Sequence, residues 1–286
     1  MAVALMPTSG RRWYRRWRSI LRLCLLWTLN LVFLLIFGFP FFWLTVTAFK
    51  TPMEADTLPI QWLPSHLYWG NFRFMLANPQ FQHAFLNSAL VATTTTSLAL
   101  VIGGGGAYAL ARLPLPRKRS MLMAVVLGVA VPPIALVPSL YLEMRQLGLL
   151  DTYLSLITAD LALALPFTIW VLSNIFRDIP SQILEQAEVD GCSPVHALWY
   201  VALPLAMPAL VAAALLTFIT VWNELLFAVT FTMSSQMETI TVLVASSGGW
   251  SGLSAGVLLV LAPILALALI GQRGIVRGLT SGAVSG

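Results

Sequence analysis

Charged residues are scarce in this sequence. Asp, Glu, Lys and Arg make up 9% of its 286 residues, against roughly 25% in an average soluble domain. That is too little to clothe a water-facing surface. Hydrophobic residues reach 58% and the mean hydropathy is +0.85, so most of the chain is solvated by lipid. Cysteine is nearly missing: Cys24 and Cys192 define neither a disulfide framework nor a metal spacing. His66, His83 and His196 are scattered, again without metal-ligand spacing. No G-x-S-x-G, phosphate-binding G-x4-G-K-[ST] or dinucleotide fingerprint occurs. These absences exclude a visible catalytic constellation, a metal site and a nucleotide pocket, so the chain reads as a non-enzyme whose energy comes from another chain. The net charge of +5 would fit nucleic acid if the basic residues formed a patch. They stand instead at the ends of apolar runs, as topology signals, and no nucleic-acid partner is expected.

What is present is an all-α, polytopic pattern of six apolar spans. Residues 1–22 form a basic N-terminal segment with Arg11, Arg12, Arg15, Arg16, Arg18 and Arg22, and residues 23–286 form the six-helix domain. The first span, near 23–46, is too long for a signal-peptide core and is read as uncleaved. Residues 47–82 are polar, with interfacial tryptophans. The second span, near 84–111, holds Gly103 to Gly106; glycine costs about 1 kcal/mol against alanine in a helix, so the run predicts close helix packing. The third span, near 120–142, contains Pro132 and Pro133, and the fourth, near 153–176, contains Asp160. The fifth lies near 204–229, an external loop at 230–251, and the sixth span near 253–272. All Lys and Arg except Lys50, Arg73 and Arg145 fall on one side of this arrangement. That asymmetry puts both termini in the cytoplasm.

The main polar interruption is a loop at 178–204, predicted to be cytoplasmic. Pro180 suits a first helical turn. Ile183, Leu184, Ala187 and Gly191 share one face, and Gly191 sits where a helix ends in a left-handed residue. Ser193 and Pro194 then open a second short helix. Glu185, Ala187, Gly191, Leu203 and Pro204 together spell E-x-A-x3-G-x11-L-P; chance would produce these five in on the order of one chain in a thousand.

Two carboxylates fall within spans, Asp160 and Glu224, and such groups tend to mark function. Trp222 and Asn223 adjoin Glu224. Carboxylates and amides can satisfy sugar hydroxyls while an indole stacks on the ring, so Trp222, Asn223, Glu224 and Asp160 form a candidate substrate path. The alternative is that Asn223 and Glu224 hold helices together and Asp160 meets a partner subunit.

The E-x-A-x3-G-x11-L-P pattern resembles the EAA loop of membrane subunits of binding-protein-dependent ABC importers. TAFKTPMEA, AYALARLPLP, MRQLGLLDTY, Trp222-Asn223-Glu224 and the tail Gly278-Leu279-Thr280-x-Gly282-x-Val284-x-Gly286 extend the resemblance over nearly the whole chain. They are similar to the second permease chain of maltose/trehalose-type sugar importers. Asp160 departs from that family, where an aromatic is more usual, and so does Gln186, where alanine is usual. The resemblance implies the type I importer transmembrane fold in the inner or plasma membrane. It implies a second, different permease subunit, two ATP-binding cassette subunits holding ATP and Mg, and an extracytoplasmic sugar-binding protein. It further implies that residues 183–192 dock on an ATPase, that Glu185 pairs with a basic residue there, and that the external loop 233–251 enters the binding protein. A permease for glycerol phosphate or an amino acid, an ion-coupled secondary transporter and a membrane-embedded enzyme are the alternatives; no clear internal repeat, proton relay or cluster of catalytic groups supports the last two.

Overall fold

The computed structural model describes residues 8–246 and 249–281, with side chains for 21–246 and 249–269. Tail residues Gly282, Val284 and Gly286 lie outside the described residues. Helices alone form the regular structure among them. The chain divides into two compact units, Met1–Asn71 with Gly249–Leu258, and Phe72–Gly248 with Leu259–Gly286.

In the first unit, α1 (Thr8–Ala48) is uncharged and apolar from Leu23 to its end, and Leu21–Ala48 has the length and hydropathy of a membrane span. The segment that follows is more ordered than a polar loop. Helix α2 (Pro52–Asp56) opens on a capping box: Thr51 Oγ1 accepts the Glu54 N–H and Glu54 Oε2 accepts the Thr51 N–H. Asn71, at the start of α3 (Gly70–Ala77), donates through Nδ2 to the carbonyls of Ala48 and Lys50, both at 2.8 Å. This amide ties the loop back to the end of α1 and satisfies carbonyls a helix end leaves orphaned.

The second unit is built on α4 (Pro79–Arg112) and α7 (Tyr153–Asp178), which pack along each other. The expected close packing of the glycine run appears at Gly103, where an added Cβ would lie 3.1 Å from Thr168 Cγ2; at Gly104 and Gly106 it would find ordinary contact and at Gly105 nothing within 4 Å. Between α4 and α7, the third span expected near 120–142 is sharply bent at its two prolines: α5 (Lys118–Ala130) and α6 (Pro133–Gln146) meet at 94°. Pro132 and Pro133 lack the N–H groups a continuous helix needs there. Among the described residues five helices are long and apolar enough to span, and the bent pair makes a sixth if counted as one crossing.

After α7 come α8 (Ser181–Val189) and α9 (Pro194–Ala197); a π-helical turn, Leu198–Ala202, then leads into α10 (Leu203–Trp222). The continuous fifth span expected over 204–229 stops at Trp222. A break at 223–225 precedes α11 (Leu226–Phe231). The stretch expected as an external loop contains α12 (Ile240–Ser246), and α13 (Trp250–Ser281) closes the chain.

Arg112, read from sequence as a topology signal, has a structural job. Its Nε donates to the Phe176 carbonyl at 2.8 Å, and Nη2 donates to the carbonyls of Arg177 and Ile179. A cation on the last carbonyls of α7 is favourable for charge and for hydrogen bonding. Arg112→Ala is expected to lower the thermal midpoint of the purified assembly by several degrees, through loss of about 2 kcal/mol of charge-assisted bonding. Arg112→Lys should recover only part of it, because a single ammonium does not reproduce the guanidinium fork. An unchanged midpoint in Arg112→Ala would sink this assignment.

Candidate functional site

The sequence-predicted residues lie at the two ends of the second unit. At one end, α8 is held by Leu184 and Ala187, both buried, onto a core that includes Tyr108, Phe176, Ile179 and Ala206. Tyr108 and Phe176 meet edge to face at 5.7 Å. Glu185 and Gln186 point to the exposed side of α8, Ile183 is 37% exposed, and Gly191 is exposed. Glu185 makes no ion pair among the described residues.

The A-x3-G spacing has a backbone explanation. Cys192 N–H donates to the Ala187 carbonyl at 2.9 Å and Gly191 N–H to the Glu188 carbonyl at 3.0 Å, the paired bonds of a Schellman motif. Gly191 takes φ +86°, the left-handed region where a side chain is strained. Ser193 Oγ then accepts the His196 N–H, with Pro194 in the first helical position, so α9 begins as the sequence predicts. Leu203 and Pro204 start α10 directly after the π-turn, joining the short helices to a spanning one.

At the other end, Asp160 on α7, Trp222 at the end of α10 and Glu224 in the break line one small cavity of ≈ 10 Å³, with Ser88 and Thr239. It holds about one water. Asp160 is 5% exposed and Trp222 is 2% exposed. The Trp222 indole stacks with Phe218 at 5.5 Å and meets Phe85 in an edge arrangement at 5.4 Å, and its Nε1 is buried without a partner. Glu224 Oε1 accepts the Phe227 N–H at 2.7 Å and Oε2 accepts the Ala228 N–H at 3.0 Å. The carboxylate therefore caps α11, satisfying donors that a helix start leaves free. Asn223 stands apart: it is exposed and bonds its own helix at the Ile219 carbonyl. Among the described residues no group of His, Cys, Asp or Glu is arranged to hold a metal.

Around this end lies a set of residues that the sequence reading missed. Asn87 Nδ2 donates to the carbonyls of Gln236 and Glu238, and its Oδ1 accepts the Tyr153 hydroxyl. Ser88 Oγ accepts the Ile240 N–H and Gln80 Nε2 donates to the Glu238 carboxylate. Asp151, in the left-handed region at φ 60°, accepts the N–H groups of Met233 and Ser234. Burial raises the Asp151 pKa, but these two N–H bonds outweigh it and leave a net lowering. The segment 232–240 is thus fastened both to the start of α4 and to the turn before α7. The available signal was a polar Asn-Ser pair opening an apolar span.

Five or six candidate membrane crossings among the described residues, with an exposed, glycine-terminated knuckle between two of them, mark a polytopic membrane protein. The chain belongs to the family described as binding-protein-dependent transport system inner membrane component, whose profile matches residues 103–280. It is therefore a multi-pass inner-membrane protein and a non-enzymatic permease subunit. The trehalose transport system permease protein SugB of Mycobacterium tuberculosis is 40% identical over 231 residues, 78% of this chain and 84% of that one. The sulfoquinovosyl glycerol transport system permease protein SmoH of Agrobacterium fabrum is 32% identical, covering 87% and 89%. The trehalose/maltose transport system permease protein MalG of Thermococcus litoralis is also 32% identical, covering 87% and 91%. Among solved structures, a bacterial ABC transporter involved in import of the acidic polysaccharide alginate has a chain of the same fold. Its TM-score is 0.76 at 20% identity, over 94% of this chain and 98% of that one.

Proposed function

We propose that this chain is one of two different permease subunits of an ATP-driven importer for a di- or oligosaccharide of the trehalose or maltose type. The observation that carries the sugar class is the 40% identity to a trehalose permease over 78% of the chain. The sugar or glycoside named in the two further relatives described above supports it. In this reading an external binding protein delivers the sugar, two ATPase subunits bind ATP and Mg, and the permease pair alternates its access between the two membrane faces. Both termini lie in the cytoplasm.

The knuckle of Glu185, Ala187 and Gly191 receives the ATPase's motion. Its support is geometric. Glu185 is exposed and, among the described residues, without an ion pair, whereas Leu184 and Ala187 are locked into the core. The knuckle reaches α10 through Leu203 and Pro204, and α10 ends at Trp222, Asn223 and Glu224. Asn223 is the member of that group with a free surface for substrate; Trp222, Glu224 and Asp160 brace the bend beside it.

The test is uptake of labelled trehalose and maltose by proteoliposomes holding the complete importer and its binding protein. Uptake should require internal ATP, require the binding protein, and be indifferent to a collapsed proton gradient. Uptake that persists without ATP and fails with the gradient would overturn the reading. Asp160→Asn is expected to lower the maximal rate with little change in the half-saturating sugar concentration, as a bracing role requires.

A further inference from the structure

The first unit holds a cavity that the transport reading leaves unused. Its volume is ≈ 390 Å³, and its lining is graded from one end to the other. Lys50, Glu54, Thr57 and Gln61 form a polar end in the loop after α1. Pro40 and Leu44 on α1, with Leu253 and Val257 on α13, form an apolar wall. From Thr47 back to Pro40, and from Trp250 to Val257, is seven residues, about 10 Å along each helix. The cavity therefore starts at the membrane surface and runs about 10 Å toward the hydrocarbon layer.

The polar end is a built site. Lys50 is 2% exposed. Its Nζ donates to the Gln61 carbonyl at 2.5 Å and stands 4.3 Å from the centre of the Trp43 ring. An ammonium has three donors, and the bond to Gln61 uses one. Thr47 Oγ1 beside it is buried and unpartnered. Burial lowers the Lys50 pKa, with Glu54 acting in the opposite sense. Glu54, on the same cavity, accepts N–H groups from Thr51 and Ser65 and the Ser65 hydroxyl. Those bonds, the Ser65 hydroxyl first, hold its pKa down to about 2, so it is ionised at neutral pH. Yet among the described residues neither Lys50 nor Glu54 forms an ion pair. One cavity thus presents a cation and an anion that feel each other's charge without a direct ion pair, above an apolar wall that descends into the membrane.

We infer that this cavity binds a zwitterionic phospholipid, with the phosphate on Lys50 and Thr47, the headgroup ammonium toward Glu54 and the aromatic face of Trp250, and the acyl chain along Leu44 and Val257. Charge complementarity selects this occupant. A lipid with only a negative headgroup would satisfy Lys50 and meet Glu54 as a like charge, and a neutral sugar would bring no anion to the remaining Lys50 donors.

The complete importer is reconstituted in nanodiscs of equal phosphatidylethanolamine and phosphatidylglycerol, re-extracted in detergent, and its retained lipid counted by native mass spectrometry. Phosphatidylethanolamine should stay at one molecule per copy of this chain. Lys50→Gln should reduce that retention about tenfold, the loss of one strong charge-assisted contact, and Lys50→Arg should keep most of it. Glu54→Gln preserves the capping box, which accepts glutamine, and should shift the preference toward phosphatidylglycerol. Equal retention in Lys50→Gln, or an unchanged lipid preference in Glu54→Gln, overturns the inference. So does loss of lipid in Lys50→Arg equal to that in Lys50→Gln, which would report packing rather than charge. A photoreactive residue in place of Ile60 should label lipid; labelling the second permease subunit instead would show a protein occupant and also overturn it.

Discussion

Gly191→Asp is expected to abolish sugar-stimulated ATP hydrolysis in the reconstituted importer while the protein still inserts and assembles. Two physical effects separate cleanly at this position. The first is backbone strain: a side chain at φ +86° costs on the order of 1 kcal/mol, least for Asp and Asn, which tolerate the left-handed region. The second is space. A Cβ at Gly191 meets nothing within 4 Å in this chain, so nothing inside the permease resists the new group. Gly191→Asn carries nearly the same strain and shape without the charge. It should keep at least roughly a fifth of the wild-type rate, whereas Gly191→Asp should fall by roughly thirtyfold or more. A large gap between the two would support the proposed docking of an ATPase surface on the knuckle. Wild-type stimulation in both variants would remove Gly191 from the coupling contact.

Glu224→Ala should be nearly as damaging, for a different reason. It leaves the N–H groups of Phe227 and Ala228 without their acceptor, on a short helix whose Phe227 and Phe231 are fully buried. Two lost charge-assisted bonds amount to about 2–4 kcal/mol, enough to unravel a six-residue helix. Uptake should drop by about a hundredfold. Glu224→Gln keeps one amide oxygen as acceptor and should retain about a tenth of the activity with an unchanged half-saturating sugar concentration. A Glu224→Gln variant that instead loses sugar affinity at full maximal rate would assign the carboxylate to the substrate rather than to the cap.

Much of this was legible in the residues because it depends on local backbone chemistry. The left-handed turn at Gly191, the Ser193 cap and Pro194 at the next helix start follow from what each residue permits over four or five positions. The spans follow from apolar length. What was not legible depends on contacts between distant segments. Nothing in Asn87 announces that it will hold Gln236 and Glu238, and nothing in Arg112 distinguishes a topology charge from a cap on α7. The breaks at 131–132 and 223–225 were only half visible. Pro132 and Pro133 mark the first, but Asn223 and Glu224 look like polar residues inside a span until Glu224 is seen capping a new helix. Trp222 shows the same limit: an indole beside an amide and a carboxylate fits a sugar platform, and nothing in the sequence announces that it is buried against Phe85 and Phe218.

The seam between α4 and α7 decides where this molecule can yield. Thr168 sits against Gly103, where an added Cβ would lie 3.1 Å from it, and Arg112 ties the end of α4 to the end of α7, so the C-terminal part of α4 is fastened to its neighbour. If the knuckle receives a motor's push as proposed, the yielding points are those where the helical ladder is already loosened, the π-turn Leu198–Ala202 and the bend after Trp222, with α10 as the moving part and the fastened pair as its fulcrum.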